Sequence, residues 1–252
     1  MQIHKISSLF PKNIKSSKKL LTIFAHPDDE VINVGGILSK SIEEKIEVSI
    51  CCLSKGEKGI FNKKYLKNII EIREKELAKV ANEIGAKNLF HKNIPDGQFV
   101  LNDNLLEQII IKVLEEVKPQ CIITHDPSGI TNHPDHIKLC ETVLKVVKEK
   151  YRKKINLYFS TITKNEQIFR KQKRKELNFQ NLQKTTHKFN IKNFISDKAK
   201  LYNIYESQNI AKYLNIPLEM WFSFNDFESL HKVDFEKNYK FNYYSFYINT
   251  IT

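Results

Sequence analysis

Short apolar runs alternate with longer stretches of helical period through the first 160 residues or so. Leu20–Ala25 and Ile46–Leu53 are continuous apolar runs of strand length, as in a sheet buried on both faces. Between them Val34–Glu44 predicts a helix opening at Gly35-Gly36. Lys64–Gly85 carries Leu66, Ile69, Ile70, Arg73, Leu77, Val80, Ala81 and Ile84, mostly three or four apart, and stops at a glycine. That spacing gathers apolar side chains on one face of a long helix, and the glycine suits its C-terminus. Asn88–Ile94, Gln120–Thr124 and Ile155–Thr161 predict further strands, and Leu105–Val117 and Asp135–Lys150 further helices.

Strand and helix in alternation predict an α/β fold: a Rossmann-like, mostly parallel sheet with helices on both faces. Beyond Thr161 the chain is less regular, more polar and aromatic towards its end. With no linker rich in Pro, Gly or Ser and no internal repeat, residues 1–252 read as a single domain. Its core runs from about 19 to 160, and a C-terminal elaboration from about 161 to 252.

Composition narrows the class. With 41% hydrophobic and 28% charged residues the chain is an ordinary globular sequence. No apolar run reaches the roughly 18 to 20 residues of a membrane-spanning helix. The N-terminus lacks the apolar segment of a signal peptide, so a cytoplasmic protein is expected. Cys51, Cys52, Cys121 and Cys140 show no Cys-x-x-Cys spacing and read as buried free thiols. The net charge of +12 raises the question of nucleic acid, and Arg170, Lys171, Lys173, Arg174 and Lys175 form a basic run. Lysine is spread along the whole chain, however, so the run reads as a solvated helix face or loop, and no nucleic-acid partner is expected.

Two motifs follow apolar strands, where ligands bind in sheets of this kind. The first is Ala25-His26-Pro27-Asp28-Asp29-Glu30. The second runs from Thr124-His125 to His133-Pro134-Asp135-His136. Imidazole and carboxylate together bind a divalent ion, and three protein ligands leave a position open for water. Pro27 and Pro134 bias His26 and His133 towards extended backbone and stiffen both loops. Alone, either motif is a turn with a capping aspartate; together at two strand ends they point to a metal site.

On these motifs the sequence resembles the PIG-L or LmbE-like family of metal-dependent N-acetylglucosamine-conjugate deacetylases. Gly56-Glu57, Arg73–Leu77, Pro95-Asp96-Gly97 and Ser207-Gln208 add order and spacing, so the resemblance runs from about Lys19 to Gln208. It implies that His26, Asp29 and His136 hold the metal and that Asp28 is the general base. His133 would stabilise the oxyanion or protonate the leaving amine, with Asp135 orienting it, while Arg73 and Asp96 would contact sugar hydroxyls. The implied cofactor is Zn2+, with Fe2+ suited by the same donors, and the implied partner is a small amino-sugar conjugate. Without the resemblance, Arg73 would pair with Glu76 on a solvated helix face, and Asp96 would belong to a turn. Some relatives carry a tyrosine where this chain has Thr131. An amidase acting on a thiol conjugate is the alternative within the same chemistry, and a basic nucleic-acid-binding protein the alternative outside it.

Overall fold

The computed structural model describes residues 3–10, 17–59, 63–173, 175, 177, 179–208, 217–223, 225–241 and 243. The strands are β1 His4–Ile6, β2 Lys19–Phe24, β3 Glu47–Cys52, β4 Asn88–His91, β5 Cys121–His125, β6 Asn156–Thr161, β7 His187–Asn190 and β8 Phe227–Lys232. The helices are α1 Asp29–Glu43, α2 Ile69–Ile84, α3 Asp103–Val117, a single turn α4 Gly129–Asn132, α5 Pro134–Val146, α6 Lys164–Lys173, α7 Ile195–Ile204 and α8 Leu218–Ser223.

Among the described residues, eight strands form one sheet in the order β1-β7-β8-β6-β5-β2-β3-β4. Only β8 is antiparallel to its neighbours β6 and β7. The mostly parallel α/β sheet expected from the hydrophobic pattern is therefore present. Helices cover both faces: one core joins Val31, Ile37, Leu77, Val80 and Tyr202, the other Leu106, Ile110, Leu114, Val143 and Val146. The region after Thr161 is continuous with this frame, since β7 and β8 extend the same sheet and β1 pairs with β7.

From β2 the chain builds outwards through β3 to β4, then crosses to β5 on the other side of β2. The connections leaving β2 and β5 diverge, which opens a crevice beyond their carboxyl ends. Both motifs emerge there.

Two elements differ instructively from their sequence pattern. Helix α1 starts at Asp29 rather than near Val34, but it breaks at Val34, whose φ is −142°. Gly35-Gly36 do open a helical segment, the second half of α1. Its first N–H groups, on Gly36 and Ile37, donate to the Glu228 carboxylate at 3.0 and 2.8 Å. Lys198 Nζ donates to Glu228 at 2.6 Å and to the Ile32 carbonyl at 2.8 Å, so both sides of the break are satisfied. A Cβ on Gly36 would lie 2.7 Å from Ile191, which explains the glycine at this crossing. The long helix read from Lys64 begins as a 3-10 turn over Lys63–Asn68, with regular α2 from Ile69 to the left-handed Gly85.

Candidate metal centre

The strand β2 delivers His26 into the crevice, and the turn that follows is held in an uncommon shape. Asp28 has φ 103°, a conformation that costs a non-glycine residue on the order of 1–3 kcal/mol. The turn is held by the Glu30 carboxylate accepting from the Asp28 N–H at 3.2 Å, and by Tyr205 donating to Glu30 at 2.5 Å. Burial pushes the Glu30 carboxyl up to about 7. On the other strand, Ser128 caps the one-turn α4 through the Ile130 N–H, and Ile130 itself has φ 59°. His133 then caps α5, its Nδ1 accepting from the Asp135 N–H at 3.3 Å, with Pro134 in the first turn.

Three side-chain atoms converge between these loops. His26 Nδ1 lies 3.1 Å from His136 Nε2 and 3.4 Å from Asp29 Oδ2, and His136 Nε2 lies 3.3 Å from Asp29 Oδ2. A tetrahedral site with bonds of about 2.0–2.1 Å has edges of about 3.3–3.4 Å, so the triangle fits three ligands of one divalent ion. The outer nitrogens fix the tautomers this requires. His26 Nε2 faces Asp96 Oδ1 at 3.1 Å and Asp135 Oδ2 at 3.3 Å, and His136 Nδ1 faces the Gly129 carbonyl at 3.3 Å. Each outer nitrogen can carry its hydrogen there, leaving the inner lone pair for an ion. Other overlapping groups of three lie in the same cluster: His26 with His133 and His136, Asp29 with His125 and His136, and His26 with Asp96 and Asp135.

Electrostatics separate the neighbouring aspartates. Burial raises the Asp28 carboxyl well above its usual range, opposed chiefly by the Arg73 charge. Burial acts on Asp29 in the same direction, but the charges of His136 and His125 outweigh it and hold Asp29 low. Burial pushes His133 well below its ordinary value, and the charges of His136 and His26 add to it.

Three residues make contacts that their places in the sequence do not reveal. The Asp135 carboxylate is directed at His26 and at the Gly97 and Phe99 N–H groups, at 2.6 and 3.2 Å. Asp96 faces His26 with one oxygen and accepts from the Lys58 N–H at 3.0 Å with the other. Arg73 is buried rather than on a solvated face. It donates to the Gly56 carbonyl at 2.7 Å, to the Pro27 carbonyl, and to Asp28 Oδ1 at 3.2 Å. A Cβ on Gly56 or Gly59 would collide with its guanidinium, which accounts for both glycines of the Gly56–Gly59 turn.

His125, the last residue of β5, is fully buried and stacks on His136 at 3.8 Å between centroids. Burial brings its pKa down to about 3, and its Nε2 lies 3.4 Å from Asp29 Oδ2. It backs two residues of the triangle. The periodicity gives no sign of this, because a strand-end histidine reads alike whether it supports a site or packs a core. In the basic run, Lys171 and Lys175 are exposed, Arg174 lies outside the described residues, and Arg170 is partly buried against Glu166 at 2.6 Å.

Around the triangle the crevice divides into two cavities. The larger, about 570 Å3, is lined by Arg73, Asp96, His133, Lys58 and Gln208. The smaller, about 160 Å3, is lined by Ile32, Ile130, Leu177, Tyr202 and Trp221; both reach Asp28, Asp29 and His136.

The PIG-L family model, described as GlcNAc-PI de-N-acetylase, matches residues 21–147, half of the chain. A probable N-acetyl-alpha-D-glucosaminyl L-malate deacetylase 2 of Bacillus anthracis is 30% identical over 139 residues, covering 53% of this chain and 61% of that protein. A probable N-acetylglucosaminyl-phosphatidylinositol de-N-acetylase of Dictyostelium discoideum is 30% identical over 139 residues, covering 53% and 51%. The chain thus spans about half to three-fifths of the length of these curated relatives. Among solved structures, the N,N'-diacetylchitobiose deacetylase of Pyrococcus horikoshii shares the fold, with a TM-score of 0.67 over 88% of this chain and 86% of that one at 19% identity. The matched segment carries both strand-end motifs and the whole donor triangle, and the chain belongs to the PIG-L family.

Proposed function

We propose that this protein is a zinc-dependent hydrolase that removes the N-acetyl group from an N-acetylglucosamine-type conjugate. The observation that carries the reading is the triangle of His26 Nδ1, Asp29 Oδ2 and His136 Nε2, with an unligated carboxylate, Asp28, on the adjoining residue. Two imidazoles and one carboxylate suit Zn2+ and also Fe2+. The names of the relatives, deacetylases of N-acetylglucosaminyl malate and phosphatidylinositol, supply the substrate class.

When bound, the ion supplies Lewis acidity to the acetyl carbonyl and to the attacking water. The remaining work falls to the chain. Asp28 takes the proton of the water, and its raised pKa makes it a stronger base than a solvated aspartate. Arg73 orients Asp28 and ties the Pro27 and Gly56 backbones together, which is the place we assign it instead of sugar contact. His133 lines the larger cavity. Held neutral by burial and with Nδ1 accepting from the Asp135 N–H, it can donate a hydrogen bond from Nε2 to the developing oxyanion, and Asp28 passes the water's proton on to the departing amine. Asp96 and Asp135 hold the His26 ring by its outer nitrogen, and Asp135 also ties the Gly97–Phe99 loop to α5. His125 supports Asp29 and His136 from behind.

The test is a panel of N-acetylglucosamine conjugates assayed for free amine with zinc-loaded and with chelated protein. Release by the loaded protein alone is expected. No release from any conjugate, or equal release after chelation, would sink the proposal.

A further inference from the structure

The smaller cavity is not needed by an acetyl group. Its volume of about 160 Å3 is close to that of an engineered cavity of about 150 Å3 that binds benzene, a molecule of six carbons. An acetyl group would place one methyl there. Beyond Asp28, Asp29 and His136 at its mouth and Thr131 on its wall, the polar side chains that line the cavity are engaged with partners. The Tyr202 hydroxyl donates to the Gln208 carbonyl at 2.7 Å, the Asn33 amide spans Asp29 and Ser160, and Arg170 pairs with Glu166. What faces the space is therefore mainly Ile32, Ile130, Leu177, Trp221 and the Tyr202 ring.

Position assigns the occupant. An amide carbon at the donor triangle has two substituents, the nitrogen and the acyl chain, which must leave in different directions. His133 lines the larger cavity and not the smaller one, and only the larger has room for a sugar ring, so the amine and its sugar go there. The acyl chain is left with the apolar cavity beside Asp28, Asp29 and His136.

We propose that this cavity is an acyl-chain pocket, and that the enzyme hydrolyses N-acyl glucosamines with straight chains of up to about six carbons as well as N-acetyl ones. This rests on the hydrolase reading above. In the reaction the C–N bond breaks and the water oxygen bonds to the acyl carbon. Both water protons end on the nitrogen, one at cleavage and one as the acid ionises, so the products are an alkanoate and an ammonium that is the conjugate acid of the free amine.

Two measurements on the zinc-loaded full chain test it. Calorimetric titration with acetohydroxamate, butyrohydroxamate, hexanohydroxamate and octanohydroxamate should show affinity rising about fourfold per methylene up to hexano and then levelling. Ile32→Phe should move the levelling point to a shorter chain, and Trp221→Leu to a longer one. Affinity that is flat along the series, or a rise that neither variant moves, overturns the pocket. Amine release from methyl glucosaminides bearing N-acetyl, N-butyryl and N-hexanoyl groups should stay within about tenfold in kcat/KM. Release confined to the N-acetyl compound overturns the inference while leaving the deacetylase reading intact. No release from any of them, beside a length-dependent hydroxamate series, overturns the deacetylase reading instead.

Discussion

At the scale of single residues, the site depends on side chains of one kind doing different work because of what surrounds them. Asp28 and Asp29 are adjacent, yet Asp29 lies within 3.4 Å of three imidazole nitrogens while Asp28 faces Arg73. Asp28→Asn should keep the metal and lower turnover by about 10²- to 10⁴-fold, the usual range for a lost general base. Asp29→Asn should lose metal first, with activity partly restored by excess metal. Metal content and turnover measured on both variants decide between the roles, and the opposite pattern would reverse them. A second expectation concerns Asp96 and Asp135. As carboxylates that hold His26, each replaced by Asn should weaken metal affinity by about 10- to 100-fold. If Asp96→Asn instead raises KM for the conjugate with metal affinity unchanged, Asp96 belongs to the sugar, as the family resemblance implies.

At the scale of elements, the break in α1 links the site to the far end of the chain. The first segment of α1 carries Asp29, and the second is capped by Glu228 on β8, with Lys198 of α7 between them. This ion pair is almost fully buried, and removing one partner of such a pair typically costs about 3–5 kcal/mol. Glu228→Gln should therefore lower stability by that order in denaturant titration. Lys198→Met in the same chain should recover part of the loss, since it removes the orphaned charge. A loss below about 1 kcal/mol would show that the break does not depend on this cap. The hydrophobic pattern located the strands of the core well, because a run buried on both faces is visible locally. It placed the start of α1 five residues late, because the first turn is set by the left-handed Asp28 and by partners on β8 and α7 rather than by any period in the sequence.

At the scale of the whole molecule, the proposed metal centre lies between two loops from strands on either side of the switch point. An ion that binds the folded chain and not the unfolded one stabilises it by mass action, about 4 kcal/mol at a thousandfold excess over Kd. Chelation should therefore lower the melting temperature, and His136→Ala should abolish most of that difference. An unchanged melting temperature on metal removal would mean that the ion does not bridge the two loops. The residues behind the net charge of +12 are spread along the chain, and among the described residues no helix is long and apolar enough to cross a membrane. Replacing the exposed Lys171 and Lys175 by Gln should leave amine release largely intact. Salt-sensitive RNA or DNA binding lost in that variant would favour the rival reading of the basic run.

By itself the sequence determined the alternation of strands and helices, the strand ends at which chemistry could sit, and the two histidine–aspartate motifs. These are matters of local period and local turn chemistry, which a chain carries in its order. Tertiary structure decided which nitrogen of each histidine faces inwards, and brought the Asp135 carboxylate against His26. It also decided that Arg73 is buried under two glycines and that Glu228 caps a helix 192 residues earlier in the chain. Each of these joins side chains far apart in sequence, and whether they meet is set by strand order and by the burial of polar groups that need partners. No spacing along the chain records such a meeting.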